Sequence, residues 1–121
     1  MNVRLGPIVI GVKNIEKSKS FYINVFGMVI KYQSENYLSG LFGDVHIEIE
    51  EHSKNRFPSW AKHNIGTYKN SQFIVSDINE LLTLVINNGG KIVNGPKSRP
   101  WGSINVEIAD PDNNIFLISQ E

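Results

Sequence analysis

The chain contains no cysteine, which excludes disulfides, thiolate zinc sites and thiol nucleophiles. No stretch approaches the roughly 20 consecutive apolar residues that a membrane-spanning helix requires. Charge of one sign is not in excess either. Lys+Arg and Asp+Glu are both 12 and the sequence pI is about 6.8, so nucleic acid and anionic membranes are not expected partners. Between Met1 and Val12 there is one arginine and a short apolar stretch broken by Gly6, Pro7 and Gly11. This stretch lacks the longer apolar segment and small-residue cleavage site of a signal peptide, so the expectation is a cytoplasmic protein. Neither a glycine-rich phosphate loop nor a serine nucleophile elbow is present.

What is there suffices for a core. With 121 residues and 40% hydrophobic composition the chain can close one domain but not two of normal size. Ile8, Val9, Ile10 and Val12 form a β-branched run expected to be a strand. Asn14 suits a helix N-cap, and Ile15, Ser18, Tyr22, Val25 and Phe26 follow at helical spacing up to Gly27. Met28–Ser34, Tyr37–Phe42 and Val45–Glu51 read as strands, the last two joined by a Gly43-Asp44 turn. Residues 52 to 69, which include Pro58, Trp60 and Gly66, show no period and read as a linker or pocket-covering loop.

The pattern then restarts. Gln72–Val75 reads as a strand, Asp77 as an N-cap, and Ile78, Leu81, Leu82, Val85 and Ile86 as a helical stripe closed by Gly89-Gly90. Lys91–Val93 reads as a short strand. Gly102–Ala109 and Asn114–Ser119 form a hairpin around Asp110-Pro111-Asp112-Asn113. Val12 and Val75, Asn14 and Asp77, Ile15 and Ile78, and Gly27 and Gly90 share one offset of 63 positions. A repeat of this length means a duplicated supersecondary unit. The fold class expected is α+β: two tandem βαβββ modules forming a curved, mostly antiparallel sheet around a cleft, with helices outside. Module one spans about 1–51, the linker about 52–69 and module two about 70–121.

Several segments carry a family resemblance: Val12-Lys-Asn-Ile-Glu-Lys-Ser through Phe21-Tyr22, Phe73-Ile-Val-Ser-Asp-Ile, and Pro100-Trp101-Gly102 followed by Asp110-Pro-Asp-Asn-Asn. Together they resemble the vicinal oxygen chelate superfamily of glyoxalase I, extradiol dioxygenases, fosfomycin-resistance and bleomycin-resistance proteins, the last branch most of all. Asn113 stands where that pattern usually has glycine, and asparagine tolerates the left-handed conformation. The resemblance implies a divalent metal held in the cleft from the first and last strands of each module. Those positions are Pro7, Glu48, Asn70 and Leu117 here. Glu48 alone is a good ligand, since proline and leucine offer no side-chain donor and an amide is a weak one. The resemblance also implies a homodimer, as do the edge strands that such sheets leave open.

The strand Val45–Glu51 alternates Val45, Ile47 and Ile49 with His46, Glu48 and Glu50, so one face is polar. Asn105 and Glu107 alternate likewise with Ile104, Val106 and Ile108, and Asn70 and Gln72 with Phe73 and Val75. A polar cavity wall and an ordinary solvated face both fit this pattern. Together with the positions that the resemblance implies, the candidate ligand-binding cleft comprises Pro7, Val9, His46, Glu48, Glu50, Asn70, Gln72, Trp101, Asn105, Glu107 and Leu117. Trp101 is a candidate aromatic wall at its mouth, and Trp60, His52 and His63 read as loop residues. No metal or other cofactor is expected; if one binds, Glu48 with His46 or Glu50 would hold it. Catalytic residues are not assigned. The expected function is small-molecule binding of a drug-sequestration or resistance type. The alternative is a divalent-metal-dependent lyase, dioxygenase or isomerase with non-standard ligands.

Overall fold

The computed structural model describes residues 2, 6–51 and 72–120, which fall in two compact units, 1–63 and 64–121. In the first, β1 (Ile8–Val12) leads into α1 (Ile15–Phe26), then β2 (Val29–Ser34), β3 (Tyr37–Phe42) and β4 (Val45–Glu51). In the second, β5 (Gln72–Val75), α2 (Ile78–Asn87), β6 (Lys91–Ser98), β7 (Ile104–Ala109) and β8 (Ile115–Gln120) repeat the order. Each unit holds one four-stranded sheet, ordered β1-β4-β3-β2 and β5-β8-β7-β6. First and last strands pair in parallel and the other neighbours antiparallel. The expected βαβββ duplication is present.

Both helices start as their caps dictate. Asn14 Oδ1 accepts from Lys17 N at 3.0 Å, and Asp77 Oδ1 from Asn79 N and Glu80 N at 3.0 and 3.1 Å. A second acceptor arrives from the end of each sheet. Glu51 Oε2, on β4, accepts from Ile15 N at 3.1 Å, and Gln120 Oε1, on β8, accepts from Ile78 N at 2.7 Å. Backbone amides in the first turn of a helix have no partner within the helix. In both units the last strand supplies one.

The cores lie between each sheet and its own helix. In the first unit Val12, Ile15, Phe21, Tyr22, Leu38, Ile47 and Ile49 are buried, and Tyr22 stacks on Phe42 with ring centroids 5.9 Å apart. Ser18, on the same helix face, is buried with its hydroxyl donating to the Asn14 carbonyl at 3.0 Å. In the second unit Ile78, Leu81, Val85, Val106, Ile108, Phe116 and Ile118 are buried. Each such side chain contributes about 1.5–3 kcal/mol by leaving water.

Several expectations need correction. The strand expected at Lys91–Val93 runs on to Ser98 as β6, because two irregularities in its pairing with β7, either side of Asn94, absorb the Gly95-Pro96 dipeptide. The second helix stop falls on Gly89 (φ 85°), not Gly90, so the offset of 63 fails by one at this point. Gly27 (φ 67°) is the left-handed cap of α1, whereas α2 ends at Asn87, two residues sooner at that offset, and is capped by Asn88. Ile86, placed on the helical stripe, is exposed, since the stripe that meets the sheet is Ile78, Leu81 and Val85. The hairpin strands begin at Ile104 and Ile115 rather than Gly102 and Asn114, and β2 at Val29 rather than Met28.

Candidate ligand-binding site

Strand register decides which polar residues share a surface. In the first sheet Val9 lies opposite Glu48 and Glu48 opposite Ser39, while Gly11 lies opposite Glu50 and Glu50 opposite Tyr37. His46 faces Leu41. Because side chains alternate along a strand, Val9, His46, Glu48 and Glu50 stand on the face turned away from α1. Pro7 is exposed just before β1. The second sheet follows suit: Gln72 lies opposite Leu117 and Leu117 opposite Glu107, with Asn105 opposite Ser119. Gln72, Leu117, Asn105 and Glu107 thus share the face turned away from α2. Asn70 lies outside the described residues, as do Trp60, His52 and His63.

The candidates differ in what surrounds them. Glu50 is only 7% exposed, His46 is exposed and Val9 is 48% exposed. Asn105 Oδ1 accepts from the Ser103 hydroxyl at 3.3 Å. Trp101 is 72% exposed, and the Arg99 guanidinium lies 5.9 Å from its ring centroid. That spacing allows a cation–π contact of about 0.5–1 kcal/mol.

Two residues that the strand alternation did not single out complete the first face. The Tyr37 hydroxyl donates to Glu48 Oε1 at 2.8 Å, and the Tyr32 ring lies 5.9 Å from that of Tyr37. Both were within reach of the sequence. The two-residue turn at Gly43-Asp44 sets Phe42 opposite Val45, and counting back along the hairpin puts Tyr37 opposite Glu50, one step diagonal from Glu48. Tyr32 was less accessible, because β2 is bulged between Ile30 and Tyr32.

Burial, the hydrogen bond to Glu48 and the negative charges of Glu48 and Glu50 hold the Tyr37 phenol above its ordinary pKa of 10.0, against an opposing hydrogen bond with Ser39. A raised folded-state pKa means that this group's contribution to stability is fully present below about pH 10. It is lost as pH rises through the higher folded value. Of the four tyrosines in the chain, we expect Tyr37 to ionise late. A tyrosinate absorbance titration of the folded protein should show a late-ionising group that Tyr37→Phe removes. If wild type and variant differ only by a group with an ordinary pKa, the assignment is wrong.

The donor set can be tested against a metal. Pro7 and Leu117 carry no donor atom, and Glu48 already accepts from Tyr37. His46, Glu48 and Glu50 stand in a row along one strand. No three His, Asp or Glu side chains among the described residues form a group able to hold a metal ion. The described residues therefore do not fit the metal that the resemblance implies.

Comparison with known proteins identifies the class. The chain belongs to the Glyoxalase-like domain family, whose model matches residues 5–121. A virulence protein of Salmonella typhimurium, STM3117, is 25% identical over 120 residues, covering 97% of this chain and 83% of its own. The fold is shared with a glyoxalase/bleomycin resistance protein/dioxygenase family enzyme from Burkholderia phytofirmans PsJN (TM-score 0.81, 19% identity, 98% of both chains). It is shared also with the fosfomycin resistance protein FosX from Listeria monocytogenes (TM-score 0.76, 20% identity, 100% of this chain and 95% of that one). The family model and these structures do not distinguish the bleomycin-resistance branch from the others. Among the described residues no helix is long and apolar enough to cross a membrane.

Proposed function

We propose that this protein binds a small organic molecule without a metal, in a drug-sequestration or resistance-like role. The observation that carries this is the surface turned away from α1. Its carboxylate at the resemblance's metal position, Glu48, is tied to a phenol instead of being grouped with other ligands. FosX, a fosfomycin resistance protein by name, has the same fold, which supports a resistance-type role. The protein is proposed to be cytoplasmic, and to be homodimeric because each unit's sheet ends in edge strands, β1 and β2 or β5 and β6, that a second chain could extend. The proposed domain organisation is one domain made of the two modules and their linker.

The test is a thermal-shift series with zinc, nickel, manganese and iron(II), run beside a panel of aromatic drug-like compounds. Metals should leave the melting temperature unchanged. A compound at 100 times its Kd should add about 2.7 kcal/mol of stability. Stoichiometric metal in protein purified without added metal, lost in Glu48→Ala, would instead establish the metal-dependent enzyme.

A further inference from the structure

We infer that the face of the first sheet selects an organic cation, seated against Tyr32 with its charge toward Glu48. The inference rests on the binding function proposed above and names the ligand class.

Three features converge. The first is aromatic: Tyr32 is 59% exposed and its ring lies 5.9 Å from Tyr37 at 55°. A large ring left in the open on a sheet face offers a π-surface to a ligand, and such surfaces attract cations through their quadrupole. The second is a fixed acceptor. The Tyr37 hydroxyl donates to Glu48 Oε1 at 2.8 Å, and it is the only hydrogen-bond partner of that carboxylate among the described residues. The carboxylate is thereby oriented, while its second oxygen can meet a positive group. The third is the sign of the surface. Its paired register positions are Val9 and Gly11 on β1, His46, Glu48 and Glu50 on β4, Tyr37, Ser39 and Leu41 on β3, and Val29, Tyr32 and Ser34 on β2. They carry two carboxylates, of which Glu50 is buried and already partnered, and neither lysine nor arginine; Lys31, exposed, is the extra residue of the β2 bulge beside Tyr32.

These features discriminate between ligands. An anion would be repelled by both the ring faces and the carboxylates. A neutral aromatic would gain the stacking but not the charge. A flat or quaternary cation gains both, with Val9 and Leu41 supplying apolar contact beside the acidic row.

Three flat probes of similar size separate the terms: N-methylquinolinium, neutral quinoline at slightly alkaline pH, and naphthalene-2-sulfonate, titrated by calorimetry into the whole protein. The cation should bind about tenfold more tightly than quinoline, and the sulfonate more weakly than either. Glu48→Gln keeps an acceptor for the Tyr37 hydroxyl, so the fold should persist, as an unchanged melting temperature would verify. In that variant the cation should lose about tenfold in affinity while quinoline stays within about twofold, since tenfold corresponds to 1.4 kcal/mol. Tyr32→Ala should weaken both. Equal binding of quinoline and the cation, indifferent to Glu48→Gln, would overturn the charge selection but leave the organic-ligand reading standing. No binding of any probe, with no effect of Tyr32→Ala in the wider compound panel, would overturn both.

Discussion

Replacing Gly40 by alanine is expected to destabilise the protein by about 2–3 kcal/mol, near the top of the usual range for overpacking. A Cβ built on Gly40 would run into the Val29 carbonyl oxygen, and would also meet Met28 Cε at 3.0 Å and the Val29 carbonyl carbon at 3.1 Å. The methionine side chain can turn aside. The carbonyl cannot, because Val29 pairs with Leu41 and Ile30 with Gly40 in the β2–β3 ladder. Relief requires that the two strands separate at this point, with loss of their hydrogen bonds and of the cover over buried Met28 and Leu38. Gly11→Ala is the control: a Cβ there meets nothing within 4 Å, and the change should fall within about 1 kcal/mol of neutral or slightly stabilise. Urea denaturation of both variants checks the contrast, and equal midpoints would refute the steric argument.

Asp110→Ala is expected to cost a similar amount, about 3 kcal/mol, through polar satisfaction rather than sterics. Asp110 is 1% exposed. Its Oδ1 accepts from Asp112 N at 2.9 Å and Asn114 N at 2.8 Å, and its Oδ2 accepts from Asn114 Nδ2 at 2.9 Å. Alanine deletes an acceptor shared by three donors, among them the backbone and side-chain amides of buried Asn114. Asn113 reaches φ 66° inside this loop, a conformation that the surrounding bonds help to hold. Asp110→Asn should lose roughly half as much, because it keeps one carbonyl acceptor but sets an amide against the Asn114 amide. The expected signature is a lower denaturation midpoint with faster hydrogen exchange at Asp112 and Asn114. Exchange as slow as in wild type would show that the loop is held by other means.

These two residues also mark where sequence reading succeeds and where it stops. Asp110 was legible as part of a turn, because Asp-Pro-Asp-Asn has the chemistry of one. Helix starts were legible for the same reason: Asn14 and Asp77 act on amides two or three residues away. Alternation on β4 and β7 marked the residues buried against the helices, Ile47, Ile49, Val106 and Ile108, since period-two patterning reports facing directly. Gly40 gave no signal, because what requires it is the carbonyl of a neighbouring strand, eleven positions back. The ties from Glu51 and Gln120 were hidden likewise, being bonds across 36 and 42 positions. The extension of β6 through Gly95-Pro96 ran against a sound local rule, that proline ends strands, because bulges absorbed it.

The parallel pairing of first and last strands has a mechanical consequence. Since β1 runs alongside β4 in the same direction, and β5 alongside β8, the chain enters each module at one end of that strand pair and leaves it at the other. A pull on a module's two ends therefore slides the paired strands along each other instead of peeling them apart. Every hydrogen bond of that ladder is loaded at once, and the Glu51–Ile15 and Gln120–Ile78 ties bolt the exit strand to the helix that follows the entry strand. Each half is fastened against shear along the line that its own connections would transmit.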